Sequence, residues 1–236
     1  MYNYFIMNRE ELKKYATTYS IERLESFIYS SDDTIEDVIQ HYSDNMQISQ
    51  SLYIDLCTLE VFLRNAIDTV FKTCFSENWL ENEIKNNYLL DKKDYQILLN
   101  AYELTLKECK SSSKEITNGK IIANLTFGFW TNLCAKKYSV KIWNKMSRFK
   151  GVFVNYPNLR PEIAVISKKL YAIRKLRNRI FHYEQIFKYP EKTLNLYNII
   201  LEIISYLPQD KFKLAKKTST FLATYDKITQ NYYKKI

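Results

Sequence analysis

The stretch SLYIDLCTLEVFLRNAIDTVFKTCF, residues 51–75, decides the fold class. Leu52, Leu56, Leu59, Leu63, Ala66 and Val70 recur at alternating steps of four and three, the repeat that gathers side chains on one face of a helix. No glycine or proline interrupts it. The same economy holds along the whole chain, which has only 3 Gly and 4 Pro in 236 residues. A sandwich or barrel of this length needs a turn every 8 to 12 residues, roughly twenty in all, mostly built from Gly, Pro, Asn or Asp. The expectation is therefore an all-α fold, a helical bundle in a single domain covering residues 1–236.

Outward from this helix, residues 8–29 and 33–48 carry amphipathic spacing and read as two short helices, with Asp32, Asp33, Glu36 and Asp37 crowding a first turn where the helix dipole favours acids. Asp91 suits the cap of a helix running through Cys109, after which SSSKE and Asn118-Gly119 read as the longest interruption, with a helix restarting near Lys120. Pro157 and Pro161 bracket another break. Pro161 opens a helix that reads as far as about Phe187, because proline's missing N–H costs nothing at a first helical position. Pro190 reads as its stop, an apolar helix follows at 191–206, and Lys211 to Tyr233 read as one last helix beyond Pro208.

Composition narrows the functional classes. The chain is 46% hydrophobic and 26% charged, which excludes wholesale disorder, and 236 residues bury a core without a disulfide or metal staple. Cys57, Cys74, Cys109 and Cys134 are scattered with no CxxC pair and read as buried free thiols. No run approaches the roughly 18 apolar residues of a membrane span, and MYNYFIMNREELKK lacks the pattern of a signal peptide, so a cytoplasmic protein with no membrane partner is expected. The net charge of +9 fits a polyanionic partner such as RNA, although much of the lysine travels with Asn, Ile and Tyr and so with A/T-rich codons. The densest basic stretches, KFKLAKK and YYKKI, read as solvated helix faces. A phosphate-cradling glycine loop, a Gly-x-Ser-x-Gly elbow and HExxH are all missing, and with two histidines the expectation is no metal and no cofactor. His41, without a companion, reads as a surface histidine.

One feature of the helix after Pro161 points to chemistry. Ile163, Ile166, Leu170, Ile173 and Ile180 form an apolar stripe, and Arg177 projects from the middle of it. A charge so placed must be paired or must hold an anion, because burying it alone costs several kcal/mol. Asn178 and His182, four residues apart, share a different face. Glu60 and Arg64 have the i,i+4 order of an ion pair, with Arg64 alternatively a contact to RNA.

KLRNRIFHYEQIF, residues 175–187, resembles the R-N-x-x-x-H signature of HEPN domains, in particular those of the abortive-infection (Abi-like) proteins of bacteria. LEVFLRNAI at 59–67 and LTFGFWTNL at 125–133, with its Gly-Phe-Trp block, resemble the same family in order and separation, so that the likeness covers about residues 20–190. It implies a HEPN-type helical bundle, with the motifs between about 50 and 190, extra helices N-terminal to them and further helices at 191–233. It also implies a homodimer that brings two such signatures together and, in many members, metal-independent ribonuclease activity with a toxin role in antiviral defence, sometimes restrained by an RNA or protein antitoxin. Other members are binding modules without catalysis. Where the family often has a second histidine and then an arginine, this chain has Tyr183 and Gln185, so catalysis would rest on His182 alone.

The chemistry of the residues agrees with that implication. Metal-free RNA cleavage needs a proton acceptor near neutral pH, a proton donor and a cation on the developing phosphorane. Arg177, Asn178 and His182 are the catalytic candidates, and Lys175, Arg179 and Arg64 the RNA-binding ones. One helix supplies one imidazole, so a second protomer would supply the donor. Phe127, Phe129 and Trp130 read as core or dimer packing, with base stacking as the alternative.

Overall fold

The computed structural model describes residues 20–158 and 160–233, and among them every regular element is helical. These are α1 (Ile21–Glu25), α2 (Ile35–Cys74), α3 (Trp79–Asn86), α4 (Lys92–Ser111), α5 (Asn118–Asn124), α6 (Phe127–Leu133), a 3-10 turn at Lys136–Tyr138, α7 (Met146–Val152), α8 (Ile163–Phe181), α9 (Pro190–Tyr206), α10 (Gln209–Thr218) and α11 (Phe221–Tyr233). The expected all-α class is what the chain adopts. None of the described helices is long and apolar enough to cross a membrane.

Several boundaries differ from the sequence reading, each for a local reason. The two helices expected at 33–48 and 51–75 are one helix of 40 residues. Ser51 does not break it because its hydroxyl donates back to the Ile48 carbonyl at 2.8 Å, and Ile48 and Leu52 carry the buried stripe across the join. The stripe runs through Ile67 and Phe71, both fully buried, while Ala66 is half-buried. Thr34 and Asp37 start this helix by reciprocal capping, Asp37 N–H donating to Thr34 Oγ1 at 3.2 Å and Thr34 N–H to Asp37 Oδ2 at 3.1 Å. Of the helix expected at 8–29, residues 8–19 lie outside the described residues, and the remainder forms only the short α1. Asp91 caps α4 as expected, accepting from Asp94 N–H at 2.9 Å. Pro190 does not stop α8, which has already ended at Phe181, but begins α9, where its missing N–H is harmless. The last helix is divided at Ser219, and the end of the tail YYKKI, residues 234–236, lies outside the described residues.

The chain groups into two compact units interleaved in sequence. The first comprises the described residues up to Leu56, Lys175–Ile200 and the described residues from Lys216; the second comprises Cys57–Arg174 and Leu201–Ala215.

In the first unit, Leu24, Phe27 and Val38 form a buried cluster under Ile35, Ile39 and Tyr42. Phe221 stacks on Tyr197 with centroids 4.3 Å apart. His41 is no surface histidine: its ring stacks on Tyr29 at 4.0 Å, and its Nδ1 lies 3.1 Å from the Phe27 carbonyl oxygen. Between α10 and α11 the Ser219 hydroxyl donates to Asp55 Oδ2 at 2.9 Å, lies 3.2 Å from the Tyr197 hydroxyl and accepts from Phe221 N–H at 3.5 Å, where α11 begins. Asp55 is fully buried with Oδ1 unpartnered, and burial pushes its pKa up to about 6. A carboxyl that binds its proton more tightly when folded stabilises the fold most below its ordinary value of 3.8, and that contribution fades as pH rises through about 6. The difference corresponds to about 3 kcal/mol at neutral pH. Asp55→Asn should accordingly remove this pH dependence and raise stability at pH 7.5 relative to wild type, as read from urea unfolding at pH 4, 6 and 7.5.

In the second unit an aromatic seam forms the core: Phe71 meets Trp79 at 4.8 Å and Trp143 at 5.8 Å, and Trp143 meets Phe149 at 5.1 Å. The indole N–H groups are placed to donate, Trp79 to Asp68 Oδ1 at 2.8 Å and Trp143 to the Leu133 carbonyl at 2.6 Å. Glu83 ends α3 by accepting from the backbone N–H groups of Tyr88, Leu89 and Leu90 at 2.7–3.1 Å, behind a left-handed Asn87 with φ 45°. All four cysteines are free, but only Cys109 and Cys134 are buried; Cys74 is exposed and Cys57 half-buried, contrary to the uniform burial expected.

Candidate nucleic-acid cleavage site at the end of α8

The signature residues meet where α8 terminates. The helix stops six residues short of the expected Phe187 because Tyr183 takes a left-handed conformation, φ 56°. Glu184 N–H then donates to the Arg179 carbonyl at 2.9 Å and Tyr183 N–H to the Ile180 carbonyl at 3.0 Å. This pair of reversed bonds is the Schellman ending, in which glycine is the usual residue at the left-handed position. His182 is thus the capping residue of α8, with its N–H still donating to the Asn178 carbonyl at 2.9 Å. A tyrosine in this conformation costs about 1–2 kcal/mol. Since the Tyr183 ring is 55% exposed, Tyr183→Gly should stabilise the protein by about 1 kcal/mol in urea unfolding.

The residues after the turn are held by Asn45, fully buried on α2. Its Oδ1 accepts from Ile186 N–H at 2.7 Å and its Nδ2 donates to the Glu184 carbonyl at 3.3 Å. Thr193 Oγ1 donates to the Ile186 carbonyl at 2.6 Å, Arg179 donates to the Gln185 carbonyl, and Arg179 Nε pairs with Glu184 at 3.3 Å.

At this end the apolar stripe behaves as read: Ile166, Leu170, Ile173 and Ile180 are buried, joined by Leu176, with Ile163 half-buried. Arg177 is half-buried. Its guanidinium lies over the Phe181 ring, 4.2 Å from the centroid, and its Nε is buried without a hydrogen-bond partner. A cation over a ring face recovers about 0.5–2 kcal/mol, only part of the cost of removing it from water. Asn178, His182, Lys175 and Arg179 are exposed, so the imidazole, the carboxamide and two cations face solvent within two turns. Phe181 also meets Tyr53 of α2, with centroids 5.7 Å apart.

Arg64, the remaining sequence candidate, lies on α2 within the second unit, half-buried, with its Nε also buried and unpartnered. Phe127, Phe129 and Trp130 are core side chains of that unit, at most 2% exposed, which excludes them as a platform for stacked bases. The arginine that does enter a polar network is Arg174, three residues before Arg177 and not singled out by the sequence reading. It donates to Asn132 Oδ1 at 2.6 Å, Asn132 Nδ2 donates to the fully buried Asp94 at 2.9 Å, and Asp94 also accepts from the Tyr138 hydroxyl at 2.8 Å and Lys137 at 2.5 Å. Because both Asp94 oxygens are satisfied from within, this network fastens α4, α6 and α8 rather than awaiting a ligand. The signal for Arg174 was available in principle, since Asp94, Asn132 and Arg174 are polar residues on apolar helix faces. Nothing local pairs them, because they stand about 40 residues apart in sequence.

Among the described residues no three His, Cys, Asp or Glu side chains gather as a metal site would require. Compared with protein-family models, curated proteins and solved structures, the chain matches none.

Proposed function

We propose that the chain is a HEPN-type endoribonuclease of the abortive-infection kind, a cytoplasmic toxin of phage defence that cleaves RNA without a metal ion. The observation that carries this reading is the end of α8, where the exposed imidazole of His182 and carboxamide of Asn178 stand one turn apart beside Arg177, a cation whose Nε has no partner. His182 takes the proton of a ribose 2′-hydroxyl, whose oxygen attacks the adjacent phosphorus. The bond from phosphorus to the 5′-oxygen breaks, and a protonated His182 from a second copy of the chain gives that oxygen its proton. Arg177 offsets the charge of the phosphorane, Asn178 donates to a phosphate oxygen, and Lys175 and Arg179 contact the RNA backbone. Products then carry 2′,3′-cyclic phosphate and 5′-hydroxyl ends, and the reaction proceeds in EDTA.

End-group analysis of RNA cut in EDTA tests this directly, since a requirement for Mg²⁺ or 5′-phosphate ends would refute it. A second reading, a HEPN module that binds RNA or a protein partner such as an antitoxin without cleavage, is favoured by the Phe181 ring beneath Arg177, which gives the cation a structural employment. RNA retained but never cut by wild type would decide for it.

A further inference from the structure

On a helix advancing about 100° per residue and with Arg177 as origin, Phe181 lies about 40° round α8, Asn178 about 100°, His182 about 140°, Lys175 about 160° and Arg179 about 200°. The candidate reacting groups therefore occupy the middle of a solvent-facing strip with two different borders. On the Phe181 border is an open groove of about 450 Å³ lined by Tyr53, Ile54, Phe181 and Tyr183, with Ser49 and Gln50 as its polar edge. Tyr53, Phe181 and Tyr183 are 49%, 42% and 55% exposed, an unusual gathering of aromatic surface. On the Arg179 border is a pocket of about 310 Å³ whose wall carries Arg179, Lys188 and Lys192.

Charge selects the occupant. No carboxylate is among the residues that line either recess; Glu184 pairs with Arg179 at 3.3 Å, so Lys188 and Lys192 carry the pocket's positive charge. Two of the three aromatic rings carry a guanidinium, Arg177 at 4.2 Å from Phe181 and Arg23 at 5.7 Å from Tyr183. A second copy laid into the groove would bring the same cations against these, and an apolar helix would leave them unanswered. A single-stranded nucleic acid answers both features, because each nucleotide offers a planar base to a ring and an anion to a cation. The strained backbone of Tyr183, held by Asn45, fits this use, since its cost maintains an aromatic ring on the groove wall where glycine would leave a gap.

We infer that unpaired RNA crosses the C-terminal turn of α8, one base stacking in the Tyr53, Phe181 and Tyr183 groove and a neighbouring phosphate seated in the Arg179, Lys188 and Lys192 pocket. The scissile phosphate thereby passes His182, which is the part of the inference that rests on the proposed cleavage. Recognition of this kind is strand-selective and tolerant of sequence, because every base has a stacking face.

The test is fluorescence anisotropy of a labelled single-stranded 2′-O-methyl RNA, which lacks the attacking hydroxyl and so reports binding without reaction. Tyr53→Ala should weaken binding about tenfold and Tyr53→Phe restore it. Tyr183→Gly, which should stabilise the fold, should also weaken binding. Lys188→Ala with Lys192→Ala should lower the salt slope by roughly 0.7, the contribution of one phosphate on a single strand. Binding unchanged in both the tyrosine and the lysine variants would overturn the path. So would a Tyr53→Ala protein that binds normally but falls from dimer to monomer in sedimentation, which would make the groove a self-contact. The two readings separate cleanly: RNA cut to cyclic phosphate ends with all these variants silent leaves cleavage standing and the path refuted, whereas the expected binding pattern without cleavage does the reverse.

Discussion

His182→Ala should abolish detectable RNA cleavage, if the proposed reaction operates, while leaving the protein folded. Loss of a proton-transfer group costs about 10²–10⁴-fold in rate, and in the proposed reaction both the acceptor and the donor are lost together when each protomer carries the substitution. The side chain is exposed at the cap of α8, so its truncation should change stability by no more than about 0.5 kcal/mol. Wild type and variant are compared on a labelled RNA with EDTA present, alongside circular dichroism and urea unfolding. Cleavage at the wild-type rate in a folded His182→Ala protein would refute the mechanism and leave the binding module as the reading. Arg177→Ala is a less clean probe, because its guanidinium covers Phe181 and its loss disturbs packing as well as charge.

Asn45→Ala should be the most damaging single polar substitution near the site. It leaves the Ile186 N–H and the Glu184 carbonyl without their partner on α2, in a place where Asn45 itself is fully buried. Each buried group left unsatisfied costs about 1–3 kcal/mol, so a loss of about 2–4 kcal/mol is expected in urea unfolding. Cleavage should fall as well, because the turn that holds His182 at the end of α8 is fastened through residues 184–186. Asn45→Asp discriminates the two bonds: the carboxylate still accepts from Ile186 N–H but repels the Glu184 carbonyl, which should give an intermediate loss. An Asn45→Ala protein as stable as wild type would show that the clamp contributes nothing.

The helical class and most helix starts were legible in the sequence because they depend on neighbours within one or two turns. The stripe from Leu52 to Val70, the Asp91 cap and the lack of glycine and proline are all local signals, and each is present in the fold. The buried side of α8 was legible for the same reason, since Ile166, Leu170, Ile173 and Ile180 face inward wherever the helix is placed. The sequence also brought Arg177, Asn178 and His182 onto neighbouring turns of one element, which spacing alone determines.

The rest required partners distant in the chain. Residues 182–187 carry no proline or glycine to end a helix, yet Tyr183 turns left-handed and ends α8, and the chain beyond it is held by Asn45, about 140 residues earlier, which accepts from the Ile186 N–H. Ser219, between α10 and α11, gives its hydroxyl proton to Asp55, about 160 residues earlier. His41 looked solitary until folding laid Tyr29 against it. The arginine that enters a polar network is Arg174 rather than Arg177, because Asn132 lies within its reach, whereas the Phe181 ring lies beneath the guanidinium of Arg177. Periodicity tells which side of a helix is buried, but the partner of a buried polar group is set by which other element lies against it, and only the tertiary structure decides that.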